Sequence, residues 1–319
     1  MRFAETDIAR NPLVAHKRHM RLMGNSFEIT VVCAAPEFAD HCIDAAVAEI
    51  SRIERLLTTF NEESQTAAIN RNAGIGPVRV DREVFDLIAR SIRISALTQG
   101  AFDISYGSVD KRFWNFDTKM KELPDRESAK AAVRLINYRN IILDKEAGTV
   151  FLKEKGMRIG FGGIGKGYAA ERAKIVLRAL GVKSGIVNAS GDLTAWGHQP
   201  DGSPWTIGIA DPHHRTQAFS CLNITDMAVA TSGSYEKYAI IGGRRYSHTI
   251  DPKTGFPVSG IKSATVICPN AELADAMATP ISIMGIRAGL DMINQMKGIA
   301  CILIDDNSQW HTSKNIRLT

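Results

Sequence analysis

Three stretches of the chain carry residues whose types and spacing could do chemistry. Glu272 to Thr279 reads ELADAMAT. On a helix Asp275 and Thr279 lie four apart and share a face. A carboxylate and a hydroxyl are hard oxygen ligands of the kind magnesium takes while keeping water and substrate phosphates in its shell. Pro280 follows, and its missing N–H predicts a kink directly after Thr279. Gly160 to Ala173 reads GFGGIGKGYAAERA, a glycine run after an extended piece and at the start of a helix. Bare backbone N–H groups at a helix N-terminus suit a phosphate. Arg244 to Gly260 reads RRYSHTIDPKTGFPVSG and places His248 at a strand end before a turn, where an imidazole can serve as a base near neutral pH.

The glycine run invites two other readings. Gly160, Gly162 and Gly165 satisfy the dinucleotide pattern, but the region about 20 residues on, Ser184 to Asn188, has no acid for a ribose, and no regular alternation of strands and helices surrounds it. Gly160, Gly165 and Lys166 nearly satisfy a P-loop, but Gly167 stands where a hydroxyl is needed for magnesium. An NAD-dependent oxidoreductase and a P-loop NTPase are both set aside.

The elements that must position these groups follow from periodicity. Ser26 to Cys33 reads as a strand. Glu37 to Leu57 reads as an amphipathic helix carrying Ile43, Val47, Ile50, Ile53 and Leu57, broken by the polar Asn61 to Ser64. Arg82 to Leu97 and Arg126 to Ile136 are two more helices, and Gly165 to Leu180 is a fourth, stopped by Gly181. Short strands follow near 140–144, 150–153, 185–188, 205–210, 218–223, 228–231, 245–250, 263–268 and 300–304, with helices at Asn270 to Met284 and near Arg287 to Met296. Helices do not alternate with strands, so the expected class is α+β with mostly antiparallel sheet.

Composition bounds the rest. The chain has 319 residues, 45% of them hydrophobic and 23% charged, enough apolar material for a sizeable core and no apolar run long enough to span a bilayer. The net charge of +5, from 39 basic and 34 acidic residues, suits an anionic ligand and is no nucleic-acid footprint. His16 to His19 is the densest basic stretch and reads as a solvated lead-in to the first strand. His213-His214 reads as an exposed polar turn. Cys33, Cys42, Cys221, Cys268 and Cys301 form no CxxC, and Cys33, Cys268 and Cys301 read as buried thiols. The first residues show no export signal or lipobox, so the sequence as it stands reads as cytoplasmic.

These segments, in this order, resemble the FAD:protein FMN transferase family, the ApbE flavin transferases. The likeness runs from Met23 to about Gly285 and rests on LMGNSFEI (Leu22–Ile29), Thr58 to Asn70, TQGAFDISYGSVDKRFWNF (Thr98–Phe116), the glycine run, VNASGDLTAWG (Val187–Gly197), AVATSGSYEKY (Ala228–Tyr238), RRYSHTIDPKTG and ELADAMAT. The resemblance implies T-fold-like lobes with a ligand cleft between them, an N-terminal tail over residues 1–18 and a single two-lobed domain over 19–319. It implies a magnesium-dependent enzyme that binds FAD and transfers FMN to a threonine of an acceptor flavoprotein subunit, releasing AMP. FAD contacts would fall to Met23, Phe60, Ala101, Phe102, Asp103, Gly162, Tyr168 and Thr249. Magnesium would take the Gly165 carbonyl, Asp275 and Thr279, and His248 would be the base. Many members are exported lipoproteins.

The chain departs from the family pattern at Gly160 for a usual aspartate, Gly165 for a frequent alanine, Asn25 for threonine, Phe60 for tyrosine, Ser108-Val109 for Pro-Leu, and Pro280. The implied chemistry suits the residues, because AMP leaves without a strong acid while the phosphates need charge neutralisation and the acceptor hydroxyl needs a base. Two competing readings use the same residues: a magnesium-dependent FAD pyrophosphatase, and a flavin carrier without turnover. The intact Asp275, Thr279 and His248 argue against the carrier.

Overall fold

The structure is a computed structural model and describes residues 12–110, 122–210, 218–233, 238–242 and 244–316. The first residues of the expected tail, the Lys111 to Phe116 end of one motif, Ser234 to Lys237 of another and the His213-His214 turn lie outside them.

In chain order the elements are β1 (Val14–Leu22), β2 (Asn25–Cys33), α1 (Pro36–Leu57), α2 (Gln65–Arg71), β3 (Val78–Arg79), α3 (Arg82–Leu97), α4 (Arg126–Ala132), β4 (Ile141–Asp144), β5 (Thr149–Leu152), α5 (Gly165–Ala179), β6 (Gly185–Ala189), β7 (Asp192–Trp196), β8 (Trp205–Ala210), β9 (Ala218–Ile224), β10 (Met227–Gly233), β11 (Tyr238–Ile241), β12 (Arg244–Ser247), β13 (Ile261–Cys268), α6 (Ala271–Ile293), β14 (Ala300–Asp305) and β15 (Trp310–Thr312). Eight strands form one sheet in the order β1-β2-β6-β7-β10-β13-β14-β15. Every neighbouring pair in it is antiparallel. A three-stranded sheet β3-β5-β4 and the hairpins β8-β9 and β11-β12 complete the described strands. This is the mixed helix and antiparallel-sheet class that the sequence pattern implies.

The sheet is covered unequally on its two faces. Phe27, Ile29 and Val31 of β2 point with Ala264, Val266 and Cys268 of β13 into the large core under α1, α5 and α6. Val32, Leu193, Val229 and Ile267 point the other way and pack on Trp205, Ile209 and Ile224 of the β8-β9 hairpin. β13 is buried along its whole length because it is covered on both faces. Helix α1 buries Ile43, Ala46, Ile50, Ile53 and Leu57, a stripe at helical spacing. No helix among the described residues is long and apolar enough to cross a membrane.

Several boundaries differ from the sequence expectation. His16 to His19 is not a lead-in but the middle of β1, which begins at Val14, inside the stretch expected to be a tail. Its charges are absorbed laterally: His19 reaches Glu28 on the next strand at 3.0 Å, and Arg18 reaches Asp40 at 2.6 Å and also pairs with Asp44, both on α1. Cys33 is only partly buried, whereas Cys42, Cys268 and Cys301 are buried and all five thiols are free. Helix α4 ends at Ala132, earlier than expected. The kink expected at Pro280 is absent from the backbone angles of that turn. The break falls at Gly285 (φ 83°, ψ 171°), between the two helices expected at Asn270 to Met284 and near Arg287 to Met296, which are the two halves of α6. Proline removes one hydrogen bond but keeps a helical φ, whereas only glycine adopts that extended positive-φ geometry without strain.

Candidate functional site

Two cavities meet at the glycine run, and both are lined by Gly160 and Gly162. The first has a volume of about 370 Å³ and is lined by Ala101, Phe102, Asp103, Tyr106, Ser232, His248, Thr249 and Thr279, among others. The second, of about 500 Å³, is lined by Met23, Glu54, Thr58, Phe60, Phe161 and Lys166, among others.

Each wall has a local cause. Met23 and Gly24 form the two-residue turn between β1 and β2, both with positive φ (51° and 71°), the turn type that matches strand twist. Met23 occupies a conformation disfavoured for a side chain, and the Glu54 carboxylate accepts its N–H at 2.9 Å. Phe60 follows the end of α1 and is 98% exposed. A phenyl ring left wholly in water beside a cavity suits a flat ligand that would stack on it.

On the opposite wall Asp103 caps the Ile104–Ser108 3-10 turn. Its buried carboxylate accepts the Ser105 N–H (2.8 Å), the Ser105 hydroxyl (2.6 Å) and the Tyr138 N–H (2.9 Å). Burial pushes its pKa up, and those donors pull against the rise. Tyr106, on the same turn, accepts the Ile250 N–H on its hydroxyl at 3.1 Å and so ties the His248 segment to this wall. The turn after His248 folds onto α4 at Gly255 (φ 74°), where a Cβ would lie 1.9 Å from the Ala129 carbonyl oxygen. His248 is exposed to the cavity mouth, and the Thr249 N–H is held by the Ser247 hydroxyl at 3.0 Å.

Beneath the cleft lies a buried charged cluster. Helix α5 begins at Gly165 with no side-chain cap from Ile164. Asp275, from the second turn of α6, accepts the Gly167 N–H at 2.9 Å instead. Helices α5 and α6 touch there: a Cβ on Gly167 would lie 2.2 Å from the Ala271 carbonyl oxygen and 2.6 Å from Asp275 Cβ. Lys166 Nζ pairs with Asp192 Oδ2 of β7 at 2.5 Å. Burial first, and then the Asp192 charge, push the Asp275 carboxyl up to about 7. Burial likewise raises Asp192 against the pull of Lys166. Thr279, one turn on from Asp275, donates to the Ser232 hydroxyl at 3.3 Å and lines the first cavity.

The donor set fits a hard dication. Two buried carboxyls share one ammonium, with a hydroxyl one turn away. No group of three His, Cys, Asp or Glu among the described residues could hold a metal, but magnesium needs only one or two carboxylates.

The structure therefore brings Ala101, Phe102, Asp103, Gly162, His248, Thr249 and Thr279 to one cavity, and Met23, Phe60 and Gly162 to its neighbour. Gly165 and Asp275 lie buried below. Tyr168 does not join them. It lines a separate groove with Glu83, Arg90 and Glu272, because the start of α5 turns its ring away from the glycine run. Asp192, Tyr106 and Glu54 were not singled out by sequence reasoning, and Lys166 entered it only as part of the glycine run and its near P-loop pattern. Ser190-Gly191, a two-residue turn with φ of 57° and 99°, was the available sign that Asp192 opens a strand of a tight hairpin.

Comparison with known proteins adds to this geometry. The chain is 34% identical over 260 residues, 81% of its own length and 80% of the relative's, to the FAD:protein FMN transferase of Klebsiella pneumoniae (strain 342). It is 29% identical over 293 residues, 86% of the chain and 81% of the relative, to the FAD:protein FMN transferase of Treponema pallidum (strain Nichols). Its fold superposes on the ApbE protein of Thermotoga maritima with a TM-score of 0.84 at 28% identity, covering 95% of this chain and 98% of that one. The flavinyl transferase ApbE of Pseudomonas stutzeri, in its apo form, gives a TM-score of 0.82 at 27% identity, covering 95% and 96%. The ApbE family profile spans residues 23–303, most of the sheet and the whole of the cleft, and the chain belongs to the ApbE family.

Proposed function

We propose that this chain transfers the FMN half of FAD to an acceptor flavoprotein, with a threonine hydroxyl as the acceptor group, and releases AMP. The observation that carries the reading is the double cavity joined at Gly160 and Gly162, with His248 and Thr279 lining the first part and Asp275 buried below. Two adjoining pockets of this size suit the two halves of a dinucleotide. Met23, Phe60, Ala101, Phe102, Asp103, Gly162 and Thr249, which line the two cavities, would contact it. Magnesium, taken by the Gly165 carbonyl, Asp275 and Thr279, would supply charge neutralisation at the phosphates.

The chain's own groups cover the remaining roles. The glycine run lets the pyrophosphate approach the backbone at Gly162 and Gly163, while the first N–H groups of α5, at Gly165 and Gly167, are held by the Phe161 carbonyl and Asp275. His248 takes the proton of the acceptor hydroxyl as its oxygen bonds to the FMN phosphorus. The bond between the two phosphates breaks, and AMP leaves with the electron pair.

Incubation with FAD, magnesium and a candidate flavoprotein subunit should place in-gel flavin fluorescence on the acceptor. His248→Ala should slow that labelling by about 10²–10⁴-fold while FAD still binds. Wild-type labelling rates in His248→Ala would make the imidazole structural. Because His248 is exposed, water reaches the same base. AMP release at one rate with and without acceptor would replace transfer by hydrolysis.

A further inference from the structure

Behind the glycine run lies a third groove, of about 790 Å³, walled by α3, α5 and the start of α6. Tyr168 forms part of its lining and is 6% exposed. Its hydroxyl donates to Glu83 on α3 at 2.5 Å. Glu83 also takes two hydrogen bonds from Arg52 of α1, at 2.7 and 2.9 Å. Arg52 in turn donates to Glu49, which accepts from Arg172 of α5 at 3.1 Å. Over the phenol ring stands the Arg90 guanidinium, 5.7 Å from the ring centre and bidentate to Glu272 at the start of α6, at 2.6 and 2.9 Å. One side chain in the first turn of α5 thus sits in a network that includes α1, α3 and α6.

We infer that Tyr168 is a positioning residue for the transfer site and makes no contact with FAD: through Glu83 it fixes the first turn of α5 against α6. The inference rests on the transferase reading for its kinetic consequences. The geometry itself is independent of that reading. Helix α5 has no side-chain cap at Ile164, and beside the Lys166–Asp192 pair two further anchors on different sides hold its first turn. One is the Gly167 N–H on Asp275 in the buried cluster. The other is the Tyr168 hydroxyl on Glu83, facing the third groove. With no clearance at Gly167, a small rotation of α5 drives its backbone into Ala271 or lifts its N–H from Asp275. The phenol opposes that rotation, and a hydrogen bond to a charged acceptor is among the stronger ones available.

Tyr168→Phe keeps the ring and removes only the link to Glu83. In protein free of metal and FAD, amide exchange over residues 162–168 should speed up in this variant. That measurement stands even if wild-type protein labels no acceptor, which would sink the transferase reading alone. In the labelling assay kcat/KM should fall about 10–100-fold, the range for a partner that orients a site, with the magnesium requirement rising and the melting temperature nearly unchanged. Glu83→Gln should reproduce the loss, and the double variant should be no worse than the more impaired single variant. Unchanged exchange in Tyr168→Phe would overturn the inference. So would Glu83→Gln transferring at the wild-type rate while Tyr168→Phe is impaired, since the phenol would then act on FAD directly. A lowered melting temperature with unchanged kcat/KM would reduce Tyr168 to a structural residue.

Discussion

Asp103 and Asp275 stand in two regions that bury a carboxyl beside the same cleft. Around Asp103, three neutral donors from Ser105 and Tyr138 meet the carboxylate, and the 3-10 turn is complete as it stands. Around Asp275, the Gly167 N–H is joined by a second buried carboxyl, Asp192, and by one ammonium to serve both. Burial is the largest cause of the upward pKa in each. Burial alone therefore does not mark a reactive group. What separates the two regions is the charge left over once the local donors are counted, and that excess is what a cation would complete.

The largest expected effect is on the Asp275 side. Asp275→Asn keeps the shape and removes the charge, and transfer should fall by about 10²–10³-fold, the scale of losing one preorganised electrostatic contact. Retention of near-native AMP release at ordinary magnesium concentrations would break the comparison. Gly167→Ala should cost about 10²-fold, because its new methyl must push α5 off α6 and misplace the cluster. Exchange protection at Tyr138, on the Asp103 side, should be untouched. Disturbance of both would show that the regions are not independent.

Stability against pH sharpens the contrast. A carboxyl raised from 3.8 to about 7 contributes stability below its unfolded value and loses it as pH rises through its folded one. Metal-free wild type should therefore lose on the order of a few kcal/mol between about pH 4 and pH 7, seen in urea unfolding. Asp275→Asn should flatten that slope. The same slope in the variant would assign it to another group. The smallest effect belongs to Asp103→Asn. It sets an amide N–H₂ against backbone donors and should cost about 1–3 kcal/mol of stability. Its effect on transfer should be well below that of Asp275→Asn. A transfer loss as large as that of Asp275→Asn would give Asp103 a charge role in the reaction.

Much of this architecture was legible because it follows one-dimensional rules. The stripe Ile43, Ile50, Ile53, Leu57 locates α1, and Asn270 caps α6 through the Leu273 N–H as its residue type suggests. The glycine run, His248 and the Asp275–Thr279 pair could be read from spacing, and the resemblance gathered them into one site. The illegible parts depend on what lies opposite. β7 is buried along all five residues, so it shows no alternation. His16 to His19 looks solvated until Glu28, Asp40 and Asp44 are seen beside it. Tyr168 sits two residues from the cleft-lining Lys166, yet its side chain lines another groove, and only the packing of α5 on α3 and α6 decides that. The pairing of Lys166 with Asp192 joins positions far apart in sequence, which no local pattern reports.

The place of β6 next to β2 has a consequence for how the molecule is made. Residues 34–184 leave the sheet at one strand and return at its immediate neighbour, carrying Phe60, Asp103 and the glycine run on the excursion. During synthesis this long stretch leaves the ribosome before the strand that closes its base exists, and such non-local pairings form slowly. His248 and Asp275 emerge later still. The scaffold around α1 and α3 can form early from local contacts, and the cleft becomes whole only when the far strands and α6 have docked. The catalytic groups are thus brought together only by pairings between parts of the chain far apart in sequence, and a chain in which α6 has not docked lacks the cluster beneath the cleft.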